Sequence, residues 1–111
     1  MEAVDLVKAI AAILDDKKAE DVKVIHTTEQ TIISDYFVIA TGTSSTHVKA
    51  LSDELEFSMK NKHGLLPKGV EGRASGWILL DYGTVLVHLF LREQREYYNI
   101  ERLWEDAPSL R

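Results

Sequence analysis

Hydrophobic positions near the start of the chain repeat with a helical period. Between Ala3 and Lys18, apolar side chains recur at spacings of three and four, and charged residues at 15–18 end the repeat. The stripe consists of Val4, Val7, Ile10, Ala11 and Leu14. This pattern predicts an amphipathic helix that lies on a sheet.

Two strands are predicted next, from two different patterns. Between Asp21 and Thr27, every second side chain belongs to one face, and β-branched residues are frequent, which is typical of a strand. One face carries Val22, Val24 and His26, and the other carries Lys23 and Ile25. Tyr36 to Ala40 is a nearly continuous apolar run, which indicates a strand buried on both faces. Between them, the polar residues 27–30 predict a turn and residues 31–35 a short connector.

A second helix is predicted directly after the Gly-Thr-Ser-Ser segment at 42–45. Ser44 or Ser45 can accept hydrogen bonds from the free N–H groups of its first turn, and Gly64 provides a natural end. Basic residues at 60, 62 and 63 suit the negative end of the helix dipole. The apolar stripe of this helix consists of Val48, Leu51, Leu55 and Met59.

A loop and a β-hairpin are predicted after the second helix. Residues 65–74 contain a proline and two glycines, which indicates a loop with a short edge strand near residues 68–71. Gly76 to Asp81 and Val85 to Leu91 are predicted to be strands. The tight turn between them holds Gly83, which can take a positive φ.

The order of the elements predicts the fold class. The charged residues 92–99 favour a short helix, and an apolar cluster follows at 100–104. The whole order predicts a single α/β domain with a mixed sheet of about five strands and two long helices. The Tyr36 strand, the second helix and the Trp77 strand are expected to form a right-handed crossover unit.

The predicted hairpin sorts its side chains onto two faces. With Tyr82 and Gly83 as the two loop residues, Trp77 lies opposite His88, and a one-residue shift would exchange the faces. One face is aliphatic and is expected to join the core: Ile78, Leu80, Val85, Val87 and Leu89. The other, called the mixed face below, carries Trp77, Leu79, Asp81, Thr84, Leu86, His88 and Phe90.

The mixed face has two interpretations. Either the last helix covers it and Trp77 belongs to the core, or the face is open and docks a partner. Aromatic anchors in such patches often dominate binding, and each is worth roughly 2 kcal/mol or more on truncation. The pattern alone leaves both interpretations open.

Composition narrows the function classes. The chain has 111 residues and no cysteine, which excludes disulfides, thiolate nucleophiles and cysteine metal sites. Its 13 basic and 18 acidic side chains give a net charge of −5, which disfavours primary binding to nucleic acid. No signal peptide and no apolar run of membrane-span length is visible, so a cytoplasmic protein without a membrane partner is expected.

The Gly-Thr-Ser-Ser turn could belong to a phosphate-binding active site, because nucleotidyltransferases place such a turn against phosphate. Those enzymes also need two or three carboxylates on adjacent strands to hold magnesium, whereas Asp81 stands alone and Val85 to Leu91 contains no acid. The histidines lack metal-ligand spacing, and no nucleophile elbow or P-loop lysine is present. The sequence therefore predicts a helix cap at this turn, and no catalytic, cofactor or metal site.

A modest basic stretch is the argument for contact with RNA. It is flanked by acids and lacks stacking aromatics, so it predicts a peripheral phosphate contact and not primary recognition. Its members are Lys60, Lys62, Lys68 and Arg73.

Three long segments resemble signatures of the ribosomal silencing factor family, also called Iojap. In chain order they are Ser34–Val48, then Gly76–Gly83 with Val87–Phe90, then Arg95–Glu101 with Leu103 and Trp104. They stand in the family's order, and the resemblance covers about Leu6 to Ala107. It therefore implies a family domain at residues 1–107 and a short tail at residues 108–111.

The resemblance also implies a function. It implies a fold similar to that of nucleotidyltransferases, without their catalytic carboxylates. It implies a translational repressor that binds the large ribosomal subunit through ribosomal protein fourteen and sterically blocks joining of the small subunit. Organelle relatives assist large-subunit assembly, and free family members are often homodimers.

Carried onto this chain, the resemblance places the partner-binding residues on the mixed face. Acids such as Glu93 and Glu96 would meet basic side chains of the ribosomal protein, which speeds and orients encounter. The chain departs from the family at Leu91-Arg92, where many relatives carry an acid, and residues 60–73 match poorly. The implied partner-binding residues are Trp77, Leu79, Asp81, Leu86 and His88, joined by Tyr98 from the third segment.

Three functional hypotheses remain open at this point. The first is a ribosome-docking factor that prevents subunit association, or a large-subunit assembly factor. The second is a residual nucleotide-binding protein that uses the turn at Gly42. The third is a dimeric scaffold whose Trp77 face serves only self-association.

Overall fold

The strands and helices follow one another in the predicted order. The computed structural model describes residues 1–27, 34–73, 75–104 and 108–109. The elements are α1 (Ala3–Asp16), β1 (Glu20–His26), β2 (Tyr36–Gly42), α2 (Ser45–His63), β3 (Gly69–Glu71), β4 (Trp77–Asp81), β5 (Val85–Leu91), α3 (Arg92–Tyr98) and a 3₁₀ segment (Ile100–Trp104). The predicted α/β fold class is confirmed.

The five strands form one mixed sheet in the order β1-β2-β5-β4-β3. β2 and β5 are parallel, and the other neighbouring pairs are antiparallel. The prediction that the Tyr36 strand and the Trp77 strand form the crossover unit is wrong, because a crossover joins parallel strands, whereas β4 is antiparallel to β5 and therefore to β2. β5 is apolar and largely buried along its whole length, which suits the central position better than the alternating burial of β4.

Both long helices pack on the aliphatic face of the sheet. The predicted aliphatic face is confirmed, since all five of its hairpin side chains lie in one core cluster with residues of α1 and α2. Val4 is 39% exposed and does not belong to the buried stripe. α1 ends at Asp16 and not at Lys18, because Lys18 adopts a left-handed φ of 65°. The buried side of α1 consists of Leu6, Val7, Ile10, Ala11, Ile13 and Leu14.

α2 begins and ends as the sequence predicts. The Oγ of Ser44 accepts a hydrogen bond from the N–H of His47 at 3.0 Å, so Ser44 is the N-terminal cap. Gly64 closes the helix at a φ of 66°, where a side chain would be strained. The orientation of α2 places its buried stripe on the sheet and leaves Phe57 exposed to solvent.

The hairpin register differs from the predicted one by two residues. Trp77 lies opposite Phe90, and not opposite His88, and Asp81 lies opposite Leu86. Tyr82 is not a loop residue as predicted, because its N–H donates to the carbonyl of Val85 at 2.9 Å, and the turn lies one residue later, at Gly83 and Thr84. The Oδ1 of Asp81 stabilises this turn by accepting from the N–H of Gly83 at 2.7 Å. An even shift keeps each side chain on its predicted face, so the sorting of the two faces survives.

The connection between β1 and β2 and the C-terminal tail are only partly described. The predicted turn and connector between β1 and β2 lie largely at residues 28–33, outside the described residues. In the predicted tail, the carbonyl of Pro108 accepts from the N–H of His26 at 2.9 Å, and Ser109 forms a β-bridge with Ile25. These two tail residues therefore lie along the outer edge of β1.

Candidate docking face

The mixed face of the sheet is covered over part of its area by α3 and the 3₁₀ segment. Beneath this cover lies a second core cluster, and Trp104 packs edge-on against one of its rings, Phe37, with the ring centroids 5.3 Å apart. The cluster consists of Ile25, Phe37, Ile39 and Phe90, all at most 9% exposed. The interpretation of the mixed face as core is therefore right for this part.

A buried arginine fastens the cover to the sheet. Arg95 of α3 is 8% exposed, and its Nε and Nη2 donate to both carboxylate oxygens of Glu101 at 2.9 Å. Its Nη1 donates to the Oγ1 of Thr41 on β2 and to the carbonyl of Asp21, both at 2.8 Å. The Arg95 hydrogen bonds and positive charge hold the pKa of Glu101 below its usual value.

Trp77 lies where this cover ends. Its indole stacks on Phe90 with centroids 4.9 Å apart, and Tyr98 at the end of α3 contacts its ring at 4.8 Å. Trp77 is half-buried, whereas Tyr98 is 51% exposed. The indole is thus supported from below and from one side, but it is not sealed beneath the last helix.

His88 holds the indole from beneath. Its Nδ1 accepts a hydrogen bond from the indole N–H at 3.1 Å, so the neutral ring carries its own proton on Nε2. His88 is only 5% exposed, and burial lowers its pKa from 6.5 to about 4. The expectation that His88 contacts a partner directly therefore needs correction, because its ring lies below the surface formed by Trp77.

The lowered pKa of His88 makes folding stability depend on pH. Between pH 6.5 and 4 the unfolded chain binds a proton at this imidazole and the folded protein does not, so stability falls as the pH falls. The loss reaches about 3 kcal/mol by pH 4. Urea unfolding at pH 7.0 and 4.8 should show about 2 kcal/mol of this loss in the natural protein and much less in His88→Asn.

An exposed histidine gives the control for this pH dependence. His63→Asn at the end of α2 makes the same substitution at an exposed ring and is the matched variant for comparison. The carboxyls of Asp21 and Glu101 have pKa values below their usual 3.8 and 4.5. Their contribution to folding stability is lost mainly as the pH falls below those usual values. An equal slope in His88→Asn and in the natural protein would contradict the assignment.

The open part of the mixed face extends from Trp77 to the edge of the sheet. Leu79 and Leu86 are half-buried there, and Asp81, also half-buried, uses one carboxylate oxygen to brace the turn at Gly83. Glu71 of β3 lies opposite Leu79 in the ladder, so it shares this face. A shallow groove beside the indole is lined by Glu71, Gly72, Trp77 and Leu79.

The docking face is defined from here on as the partly exposed side chains of Trp77, Leu79, Asp81, Leu86 and Tyr98, with His88 beneath them. Alternation along β4 and β5 puts the five hairpin residues on one side of the sheet, as predicted. Tyr98 joins them through its contact with Trp77. The structure thus brings all six predicted residues into one region.

The turn after β2 uses its polar groups internally. The N–H of Thr43 donates to the Nδ1 of His47 at 2.9 Å, and the Nε2 of the same ring lies 2.9 Å from the carbonyl of Lys17. A Cβ on Gly42 would come within 2.7 Å of the Cγ2 of Val48 and 2.9 Å of its backbone nitrogen. Close packing of strand against helix therefore explains this glycine, and a phosphate is not needed to account for it.

A cleft near the same turn contains two acidic side chains, one of which forms an ion pair with the arginine of the cleft. The cleft is lined by Glu20, Gly42, Thr43, Leu91, Arg92 and Glu93. The guanidinium of Arg92 contacts Glu20 at 3.3 Å and Asp21 at 2.7 Å. Within the described ranges, no group of three or more histidine and acidic residues is placed to hold a metal ion.

The basic stretch predicted for peripheral RNA contact is not a free cluster. Arg73 donates to both carboxylate oxygens of Glu56 at 2.8 and 3.0 Å, and it lies 3.9 Å from Asp53.

Among the residues that the structure describes, no helix is both long and apolar enough to cross a bilayer. The docking face, with its partly exposed indole, is therefore the candidate interaction surface.

Sequence reasoning missed three contributors to this region. Arg95 was predicted only as part of a charged helix, Trp104 only as part of an apolar cluster at 100–104, and Glu71 only as the end of a short edge strand. Arginine is rarely buried unless it is paired, so no local pattern predicted a buried Arg95. The alternation of β3 could have put Glu71 on the docking face, had its register been known.

Fold and face together define a class of protein: a small α/β domain that presents an aromatic sheet surface, as binding modules do. A family model described as "Ribosomal silencing factor during starvation" matches residues 1–111. A ribosomal silencing factor from Bacillus subtilis is 38% identical over 109 residues, which cover 97% of this chain and 92% of that protein. The chain belongs to the ribosomal silencing factor family.

Two further relatives extend the comparison. A crystal structure of a protein from Chromobacterium violaceum superposes with a TM-score of 0.90 at 35% identity, covering 95% of this chain and 88% of that one. A mouse protein named "Mitochondrial assembly of ribosomal large subunit protein 1" is 33% identical over 101 residues, covering 86% of this chain and 43% of that protein. The family signatures and the fold thus agree.

Proposed function

We propose that this protein represses translation by binding the large ribosomal subunit through the docking face and blocking the small subunit from joining. Membership in the silencing factor family supports a role in ribosome-linked regulation. The observation that carries the proposal is the half-exposed Trp77, which is braced by Phe90, Tyr98 and His88 and flanked by half-buried leucines.

The chemistry of the face fits a basic ribosomal protein, which we propose to be protein fourteen of the large subunit. The aromatic and leucine side chains provide apolar area for the centre of an interface, where anchors such as tryptophan dominate. Among the exposed carboxylates, Glu71 shares this face through its pairing with Leu79, and Glu93 and Glu96 are exposed on the covering helix α3. The net charge of −5 adds long-range attraction to a basic partner.

The proposed mechanism is steric exclusion. The domain measures 34 × 34 × 22 Å, so one copy on the joining surface occupies the space that a bridge between the subunits would need. No bond is made or broken in this mechanism, which agrees with a turn at Gly42 whose polar groups are bound internally. Release requires only dissociation of the factor.

A subunit-joining experiment tests the proposal. Purified protein is mixed with large subunits, small subunits are then added, and sucrose gradients score the fraction of joined ribosomes. We expect the protein to sediment with large subunits and to lower the joined fraction in proportion to its occupancy. Full joining at saturating occupancy would contradict the blocking role and leave only binding.

Large-subunit assembly is the second candidate function. It is favoured by the mouse relative, whose name refers to assembly of the ribosomal large subunit. Cells that lack this protein would then accumulate incomplete large subunits during growth, whereas a blocking role predicts excess joined ribosomes on starvation. Gradient profiles of growing and starved cells distinguish the two.

Two further hypotheses remain testable in the same preparation. Nucleotide binding at the Gly42 turn predicts a magnesium-dependent thermal shift, which we do not expect. A homodimer through the Trp77 face predicts that large subunits and self-association compete for one surface, and sedimentation equilibrium measures this. A peripheral contact of Lys60, Lys62 and Lys68 with ribosomal RNA also stays a prediction.

A further inference from the structure

The only polar atom of the Trp77 side chain is already used inside the protein. Its indole N–H points to the Nδ1 of His88 at 3.1 Å, and His88 is 5% exposed. An indole has one N–H and no acceptor, so this bond takes up its whole hydrogen-bonding capacity. The part of Trp77 that remains exposed is hydrocarbon.

The imidazole is held firmly enough to serve as a fixed acceptor. Its ring lies 4.8 Å from the ring of Phe37 and 6.2 Å from that of Phe90, nearly parallel to the latter. Because Trp77 lies opposite Phe90 and Leu79 lies opposite His88, the two partners are diagonal neighbours on one face. Contacts with Phe90 and Tyr98 are apolar and only weakly directional, whereas the N–H···N bond fixes the rotation of the indole.

We infer that His88 is a positioning residue, which orients Trp77 from below and keeps its N–H away from the partner. This inference rests on the proposed function of the docking face. The partner surface opposite Trp77 is accordingly apolar, made of aliphatic side chains or the methylene stems of basic ones. A partner carbonyl at that point would find no donor and would lose its own hydrogen bond to water.

The Nε2 of His88 strengthens this assignment. This nitrogen carries the proton of the neutral ring, yet it is buried without a hydrogen-bond partner among the described residues. A leucine at this position would avoid that cost, so packing alone does not account for an imidazole here. The acceptor at Nδ1 is the feature that a leucine lacks.

Two substitutions separate the acceptor from the packing. His88→Asn keeps an acceptor oxygen near the position of Nδ1, and His88→Leu keeps apolar volume without an acceptor. We expect His88→Leu to weaken binding to purified large subunits by about tenfold, and His88→Asn to remain within about threefold of the natural protein. Urea unfolding confirms that each variant is folded.

The indole N–H itself provides a readout that a purely structural role would not move. Nitrogen-15 NMR of the free protein resolves two indole signals, and Trp77→Phe identifies the one from Trp77. Its exchange with solvent should be slow in the natural protein and in His88→Asn, and at least about tenfold faster in His88→Leu. Fast exchange in the natural protein would overturn the inference even if the variants fail to fold.

The chemistry of the partner is tested by removing the N–H alone. Trp77→Phe keeps an aromatic hydrocarbon surface but loses the same bond to His88, so its binding to large subunits should weaken about tenfold, as in His88→Leu. A loss as large as that of Trp77→Ala would show that the N–H serves the partner and would overturn the inference. Binding of His88→Leu equal to the natural protein would overturn it too, with the proposed function intact. No binding by the natural protein would remove both.

Discussion

Trp77→Ala should weaken binding to large ribosomal subunits by about 30-fold or more, which corresponds to roughly 2 kcal/mol. The indole is the largest side chain at the centre of the docking face, and three aromatic or imidazole rings brace it. An anchor that is already held in place loses little conformational entropy on binding. Most of the free energy gained by burying it therefore contributes to affinity. Co-sedimentation at several protein concentrations gives the dissociation constant.

The control for this variant is an aromatic residue on the opposite side of the sheet. Phe57 of α2 is 64% exposed, so Phe57→Ala removes a comparable exposed ring away from the docking face and should leave binding unchanged. Circular dichroism checks that Trp77→Ala is folded, because its half-buried ring also packs on Phe90. Undiminished binding by a folded Trp77→Ala, Leu79→Ala double variant would remove this face from the proposal.

Arg95→Ala should lower the free energy of unfolding by about 3 kcal/mol. The substitution leaves the carboxylate of Glu101 without its counter-charge, and it leaves the Oγ1 of Thr41, a 1% exposed residue, without its donor. Both groups were desolvated together with the guanidinium, so neither regains full hydration in the folded protein. Urea unfolding at pH 7 measures the loss.

Arg92 provides a matched comparison for Arg95. Its guanidinium pairs with two carboxylates, Glu20 and Asp21, but all three side chains are about half exposed. Exposed pairs contribute little, so Arg92→Ala should leave stability nearly unchanged. Arg95→Lys should recover only part of the loss, because an ammonium cannot reproduce the two parallel bonds to Glu101. Equal effects of Arg92→Ala and Arg95→Ala would contradict the role of burial.

Loss of Arg95 should also disturb the docking face. Arg95 ties α3 to β2, and Tyr98 at the end of α3 supports the indole of Trp77. Loosening α3 therefore removes one wall of the Trp77 site without touching the partner. This coupling explains how the third family segment, which contributes only Tyr98 to the predicted contacts, can matter for docking.

Local patterns determined the elements and the faces. The stripe of α2, its Ser44 cap and its end at Gly64 follow from spacing and capping chemistry, which act within a few residues. Alternation along β4 and β5 sorted Trp77 and Leu79 away from the core, because side chains on a strand change side at every residue. The resemblance to the family then led to the expectation that this sorted face is the docking surface.

Strand pairing, the hairpin register and the burial of individual side chains were decided only by the tertiary structure. Sequence could not show that β2 pairs with β5, that the hairpin turn lies at Gly83 and Thr84, or that Arg95 is buried while Trp77 is half-exposed. These outcomes depend on contacts between residues far apart in the chain, whose energies balance only in the assembled sheet. His88 illustrates the division: alternation gave its face, whereas its burial and its bond to Trp77 required the rings of Phe37 and Phe90 around it.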